Sequence, residues 1–209
     1  HGGRLVNRTT NGPERGTAAS TATLTIDVAS VQELEQIALG AYSPLQGFMD
    51  RHAILSVLER HALSDGTPWP MPVVLPVPAQ QLRFSIGDRV ALLCACCHQA
   101  VGEIAVEDIY RYDLAALAAP WFGTTSLTHP GVARLQRGGE YLIGGTVALR
   151  ARHANLALEY ALSPAQTRAM FAHRGWDRVV GIALPGDDRR AEAEPLREVV
   201  RRVAVDGVF

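Results

Sequence analysis

Two stretches of the chain hold residue types that do chemistry at close spacing. The first is Cys94, Cys96, Cys97 and His98 in "ALLCACCHQA". Thiolates and imidazole are ligands for soft metal ions, so the cluster invites a metal reading. The β-forming residues of "DRVALLCAC" predict a strand through it. On a strand Cys94, Cys96 and His98 share one face, and Cys97 points the other way. Same-face neighbours then stand ~6.6 Å apart at a rise of ~3.3 Å per residue. Three of them do not converge easily on a zinc ion at ~2.3 Å. Small apolar core filling is the expectation, and no metal is assigned.

The second stretch is "VVGIALPGDDRRAEAEPLREVVRRV", Val179 to Val203. It reads as a buried strand, a tight polar loop and a helix opened by acids. Backbone amides at such a junction hold phosphate in many enzymes. Arg189 and Arg190 stand where the helix begins and are the best anion-binding candidates. Glu192, Glu194 and Glu198 interleave with Arg197, Arg201 and Arg202 at helical spacing, which suits a solvated, ion-paired face. All 20 basic residues of the chain are Arg. That excludes a Lys-bearing P-loop and a Schiff-base lysine.

Other chemistry-bearing residues have plainer readings. His129 in "THPGV" is a possible ligand or base, but beside Pro130 and Gly131 it fits the ordering of a turn. Tyr42, Phe48, Trp69, Trp121 and Trp176 would make a base-stacking surface if they came together. Their Gly and Pro neighbours suggest core or interface positions instead.

These residues need elements to position them. "TATLTIDV" alternates and predicts a strand. Ser30 and Glu33 read as a capping box that opens a helix, with Gly40 ending it. Asp50 caps a second helix whose apolar stripe is Ile54, Leu55, Leu58 and Ala62. The prolines of "DGTPWPMPVVLPVP" confine any strand around Val73–Leu75 to an edge or a bulge. "DRVALLCAC" and "AVGEIAVEDIYRY" are strands joined by a polar turn near His98–Gln99. A short helix spans Leu114–Ala119. "GEYLIGGTVALRA" is a further strand, with Gly144–Gly145 marking a bulge or a close backbone approach. Ser163, Pro164 and Gln166 open a helix that Gly175 stops. The final "VAVDGVF" reads as a strand.

The expected fold class is α+β. Residues 1–160 form a closed or half-closed β-barrel with helical decoration. Residues 161–209 form a linker helix and a partial α/β unit of strand, helix and strand. A formal net charge of −1 with scattered arginines gives no electrostatic footprint for nucleic acid. No apolar run approaches the ~20 residues that span a bilayer, and no signal-peptide pattern is present. The cysteine usage suits a reducing cytoplasm.

Four stretches then line up in order: "HGGRLVNR" (1–8), "GAYSPLQGFMD" (40–50), "FGTTSLTHPGVARL" (122–135) and "LSPAQTRAMFAHRGWDRVVG" (162–181). "WPMPVVLPV" and "GEYLIGGTV" fall between them. Together they resemble the N-terminal region of the ATP sulfurylase (sulfate adenylyltransferase) family, over nearly the whole chain. The resemblance implies a PUA-like barrel followed by the start of a nucleotidyltransferase-type catalytic domain.

The family pattern at that start is G-F-Q-T-R-N-P-x-H-R-A-H-E. It aligns without a gap on "GIALPGDDRRAEA", Gly181 to Ala193. In the family, sulfate attacks the α-phosphorus of ATP, and both reactants are polyanions. The Gln and Arg grip sulfate, and the Asn and two His bind phosphates. Here Ala183 replaces the Gln, Pro185 the Arg and Gly186 the Asn. Arg189 and Glu192 stand at the two His positions. No His follows His173, so a shifted register restores nothing. Losing one preorganised donor costs ~10²–10³ in rate. A carboxylate ~4 Å from a phosphate charge adds ~4 kcal/mol of repulsion at an effective dielectric of ~20.

The leading expectation is a family member that lacks the sulfate- and ATP-binding motifs. It would serve as a binding or assembly module in sulfur metabolism, partnered by another protein of that metabolism or by itself. No cofactor is then expected. A second reading is a fragment or subunit of an active sulfate adenylyltransferase, which would bring ATP and Mg²⁺. A third, by fold analogy alone, is a PUA-like RNA-binding module.

Overall fold

A computed structural model describes residues 3–10, 22–150, 162–181, 202 and 205–208. The chain divides into two compact units, 1–161 and 162–209.

The first unit is built on a six-stranded mixed sheet. β1 (Ala22–Ile26) runs parallel to β4 (Arg89–Cys94), which is antiparallel to the long β5 (Ala100–Arg111). β5 is antiparallel to β6 (Tyr141–Leu149). The other edge of β6 is a patchwork of short pieces. β3 (Leu75–Val77) pairs with its start, β2 (Gly47–Phe48) with its middle, and Thr9 bridges to Leu149 at its end. Pro76 explains the brevity of β3. A residue without an N–H cannot sit between two ladder partners, so the segment stays an edge piece, two residues later than Val73–Leu75.

The opening motif is structural in this unit. The Arg8 amide donates to Ala38 O (2.8 Å), and Arg8 Nε donates to Val147 O (2.9 Å). The Val6 amide donates to Ser43 Oγ (2.9 Å), whose hydroxyl donates to Gly40 O (2.6 Å).

Helix α1 (Val28–Ala38) corrects the expected start. Its N-cap is Asp27, whose carboxylate accepts from the Ser30 amide at 2.7 Å. Ser30 sits inside the helix and is buried, because Asp27 takes the cap one turn earlier. Val31, Leu34, Ile37 and Ala38 form the buried stripe that packs on β6.

Helix α2 (Arg51–Arg60) is capped by Asp50 as expected, at 2.7 Å to the Ala53 amide. Its buried face is Ile54, Ser56 and Val57, not the anticipated stripe. Leu55 is 48% exposed. Ala62 lies beyond the left-handed residue His61 (φ 51°), in a bridge to Pro68. Gly144 and Gly145 mark both anticipated features. They face a register shift between Val106 and Asp108 on β5. A Cβ on Gly144 would lie 2.6 Å from Asp50 Cα, so only glycine lets α2 start against the sheet.

Helix α3 (Leu114–Phe122) runs three residues past the expected end and contains Pro120. Helix α4 (Pro130–Gly138) was not anticipated. Its signals are Pro130 in the first turn and the Val132 and Leu135 pair, both buried. Tyr112 fixes its far end, with its hydroxyl 2.9 Å from Leu135 O and 2.8 Å from Gly139 O.

The second unit opens with α5 (Pro164–Arg174), which carries the expected capping box of Ser163 and Gln166 and ends at Gly175 (φ 66°). β7 (Val179–Val180) then pairs in parallel with β8 (Gly207–Val208). Two residues of each strand lie among the described residues. Among the described residues no helix is long and apolar enough to cross a membrane.

Candidate functional site

The stretch that the sequence marks as a strand–loop junction follows β7. Asp206 ties the two strands of this unit together. Its Oδ2 accepts from the Asp177 amide (2.9 Å) and the Arg178 amide (2.7 Å), and its own amide donates to Arg178 O (2.8 Å). The Arg178 amide, with that of Asp177, holds the Asp206 carboxyl below its usual range. Parallel pairing requires the chain to cross from the end of β7 back to the start of β8. Arg202, within that crossover, has helical backbone. In α/β proteins ligands sit at the carboxyl ends of parallel strands, and in this unit that end of β7 is Val180.

The side chains of that junction are Ala183, Pro185, Gly186, Asp187, Asp188, Arg189, Arg190 and Glu192, and all lie outside the described residues. So do Glu194, Arg197, Glu198 and Arg201.

The first unit brings together groups that sequence reasoning kept apart. Arg134 on α4 reaches α1. Its Nη1 lies 2.9 Å from Glu33 Oε1, its Nη2 is 3.2 Å from Ser30 Oγ, and its Nε is 3.4 Å from Asp27 Oδ2. Burial pushes the Glu33 carboxyl up, against the pull of Arg134. Asp27 is also opposed by burial, but the Ser30 hydrogen bonds and Arg134 bring it below its usual range. The guanidinium is held by carboxylates and is thereby committed to joining two helices. It borders a polar cleft of about 280 Å³ that Arg137 and Gln81 also line. A second cleft, about 230 Å³, is apolar and lies between α2, α3 and β5, with Ile54, Leu58, Leu117 and Leu142 in its walls.

The cysteines depart from the strand reading. β4 ends at Cys94, and a turn covers 95–97. The His98 amide donates to Cys94 O (2.8 Å), closing one helical turn, and His98 is left-handed (φ 56°). In a helical turn residues three apart are neighbours, so Cys97 returns toward Cys94. The three Sγ atoms lie within 4.8 Å of one another, with Cys94 and Cys96 at 2.9 Å. Core filling holds for Cys94, which is buried; Cys96 and Cys97 are exposed. Burial pushes the Cys94 thiol up. The Cys96 side chain and the Cys96 and Cys97 amides outweigh that and bring it down to about 7. Cys96, hydrogen-bonded to Cys94, is raised to about 11. His98 is exposed beside them.

His129 occupies the N-cap position of α4, and its ring lies 4.8 Å from that of Phe122. The His129 side chain makes no cap hydrogen bond, and its Nδ1 is buried with no hydrogen-bond partner among the described residues. The aromatics form separate pairs. Tyr42 meets Trp69 edge-on at 6.2 Å, Trp121 stacks on Phe122 at 4.5 Å, and Trp176 tilts against Phe171 at 6.0 Å. Phe48 is buried in the core.

A PUA-like domain model matches residues 1–152. The chain is 38% identical to the sulfate adenylyltransferase of Pyrococcus abyssi, over all of this chain and 55% of that protein. It is 40% identical to the sulfate adenylyltransferase of Symbiobacterium thermophilum, over 91% of this chain and 50% of that protein. Among solved structures, the hexameric APS kinase from Thiobacillus denitrificans matches with a TM-score of 0.72 and 27% identity, over 96% of this chain and 37% of that one. The chain thus spans about half the length of the curated relatives it matches. With a PUA-like domain over 1–152 and a likeness that covers 91–100% of its length, the chain belongs to the sulfate adenylyltransferase family.

Proposed function

We propose that this chain serves sulfur metabolism as a non-catalytic member of its family, a binding or assembly module that does not itself transfer an adenylyl group. One observation carries the reading. Between Gly181 and Ala193 the positions that would grip sulfate and ATP hold Ala183, Pro185, Gly186, Arg189 and Glu192. Two polyanions brought side by side need converging donors and positive charge. This stretch offers one substitute cation, Arg189, against Glu192 and the neighbouring Asp187 and Asp188. The natural partners are a second copy of the chain or another enzyme of sulfur metabolism. The likeness to a structure described as hexameric supports self-association. Neither ATP nor Mg²⁺ is required for such a role, and three cysteines without a disulfide suit a reducing cytoplasm.

Equilibrium dialysis with Mg·ATP tests the reading. The expected result is no saturable uptake at micromolar nucleotide, with or without sulfate. Micromolar binding that Arg189→Ala abolishes would overturn it.

A second reading is a part of a longer, active sulfate adenylyltransferase. The matched share of the relatives, 55% and 50%, favours it. Sequencing the messenger RNA on both sides of this stretch tests it. In-frame continuation with the family's remaining motifs supports it, and stop codons on both sides exclude it.

A further inference from the structure

We propose that Cys94, Cys96 and Cys97 form a three-thiolate site for a soft, thiophilic metal ion. The site lies in the first unit and is independent of the junction after β7.

The geometry is that of a loop held from several sides. The Cys94 amide donates to Gln99 O (3.0 Å), the Ala95 amide to Ile26 O of β1 (2.9 Å), and the His98 amide to Cys94 O (2.8 Å). These bonds fix the backbone on either side of the thiols, so little ordering is left for a ligand to impose. Cys94 forms a buried floor, and Cys96 and Cys97 form an exposed rim through which an ion enters.

The separations suit a common ion. A metal ~2.3 Å from each sulfur needs sulfur–sulfur distances of about 3.7–4.0 Å in tetrahedral or trigonal coordination. Cys94 and Cys96 are 2.9 Å apart, shorter than that value, and no sulfur pair is separated by more than 4.8 Å. Opening one pair by about 1 Å is within reach of a side-chain rotation at an exposed cysteine. An all-sulfur set selects thiophilic ions over Mg²⁺ or Ca²⁺, which take oxygen ligands. The described residues place no fourth ligand atom in the cluster, so an ion here keeps an open position or stays three-coordinate. Binding exchanges S–H bonds for S–metal bonds and releases the protons to water.

Titration of the reduced protein with cadmium chloride tests the site. The expected result is one equivalent bound, an ultraviolet sulfur-to-metal charge-transfer band, and protection of all three thiols from alkylation. Cys96→Ser and Cys97→Ser, both on the exposed rim, each weaken binding more than ~10-fold, the least that loss of even a supporting group costs a metal site. Circular dichroism confirms that both variants fold. Uptake that survives both substitutions would overturn the proposal. So would thiols that alkylate independently in the presence of cadmium, or a mass loss of two hydrogens marking a Cys94–Cys96 disulfide in place of metal uptake.

Discussion

Arg134 gathers three acceptors from one helix: Asp27 at the cap, Ser30 in the first turn and Glu33 one turn on. The Arg134 and Glu33 side chains are 29% and 22% exposed, so the pair is partly desolvated. Removing one partner leaves the other charge half-buried, which costs more than the pair contributes. Arg134→Met is expected to lower stability by ~1–3 kcal/mol in urea unfolding. Adding Glu33→Leu should recover most of that loss. A double variant no more stable than Arg134→Met alone would contradict this account. The clamp is not legible in the sequence, because Ser30 and Glu33 fit a capping box that hides Asp27 as the cap. The turn at 95–97 is hidden in the sequence for a related reason. A period of two was extended past Cys94, and nothing in "CACCH" announces a turn, since the residue taking positive φ is His98 rather than glycine.

At the level of elements, glycine pairs and cap residues were readable because each satisfies a local rule. Gly144 and Gly145 announced a close approach, and the approaching element is the start of α2. Gly144→Ala should destabilise by ~1–3 kcal/mol, as overpacking against backbone does; thermal melting checks it, and an unchanged midpoint would refute it. Helix α4 was harder to see, since nine residues opened by His-Pro-Gly give little periodicity. Its anchor, Tyr112, makes the first unit sensitive to alkali. Burial, then the Glu140 charge, pushes the Tyr112 hydroxyl up to about 12. Burial raises Tyr110 as well. An unfolded tyrosine ionises near ~10, so between pH ~10 and ~12 the unfolded chain binds fewer protons than the folded one. Stability therefore falls with rising pH across that window, by up to ~1.4 kcal/mol per pH unit for each tyrosine. Urea unfolding at stepped pH should show the decline, and Tyr112→Phe should reduce its slope. A profile flat from pH 9 to 12 would contradict the assignment.

For the whole molecule, the family was legible because motifs scattered over 1–181 fell in one order, although each alone was weak. The structure gives several of them framework roles. Arg8 ties the opening segment to α1 and β6, Ser43 to the turn after α1, and the Ser163 box starts the second unit. The parallel pairing of β7 with β8 agrees with the expected strand, helix and strand unit. The proposed function rests on the stretch after β7, where Ala183, Pro185, Gly186, Arg189 and Glu192 stand at the positions of the family motif. The direct test is turnover: pyrophosphate release from Mg·ATP, with and without sulfate, by the purified 209-residue chain. The account predicts no sulfate-dependent release above the protein-free rate. Sulfate-dependent release that disappears in Arg189→Ala would contradict it.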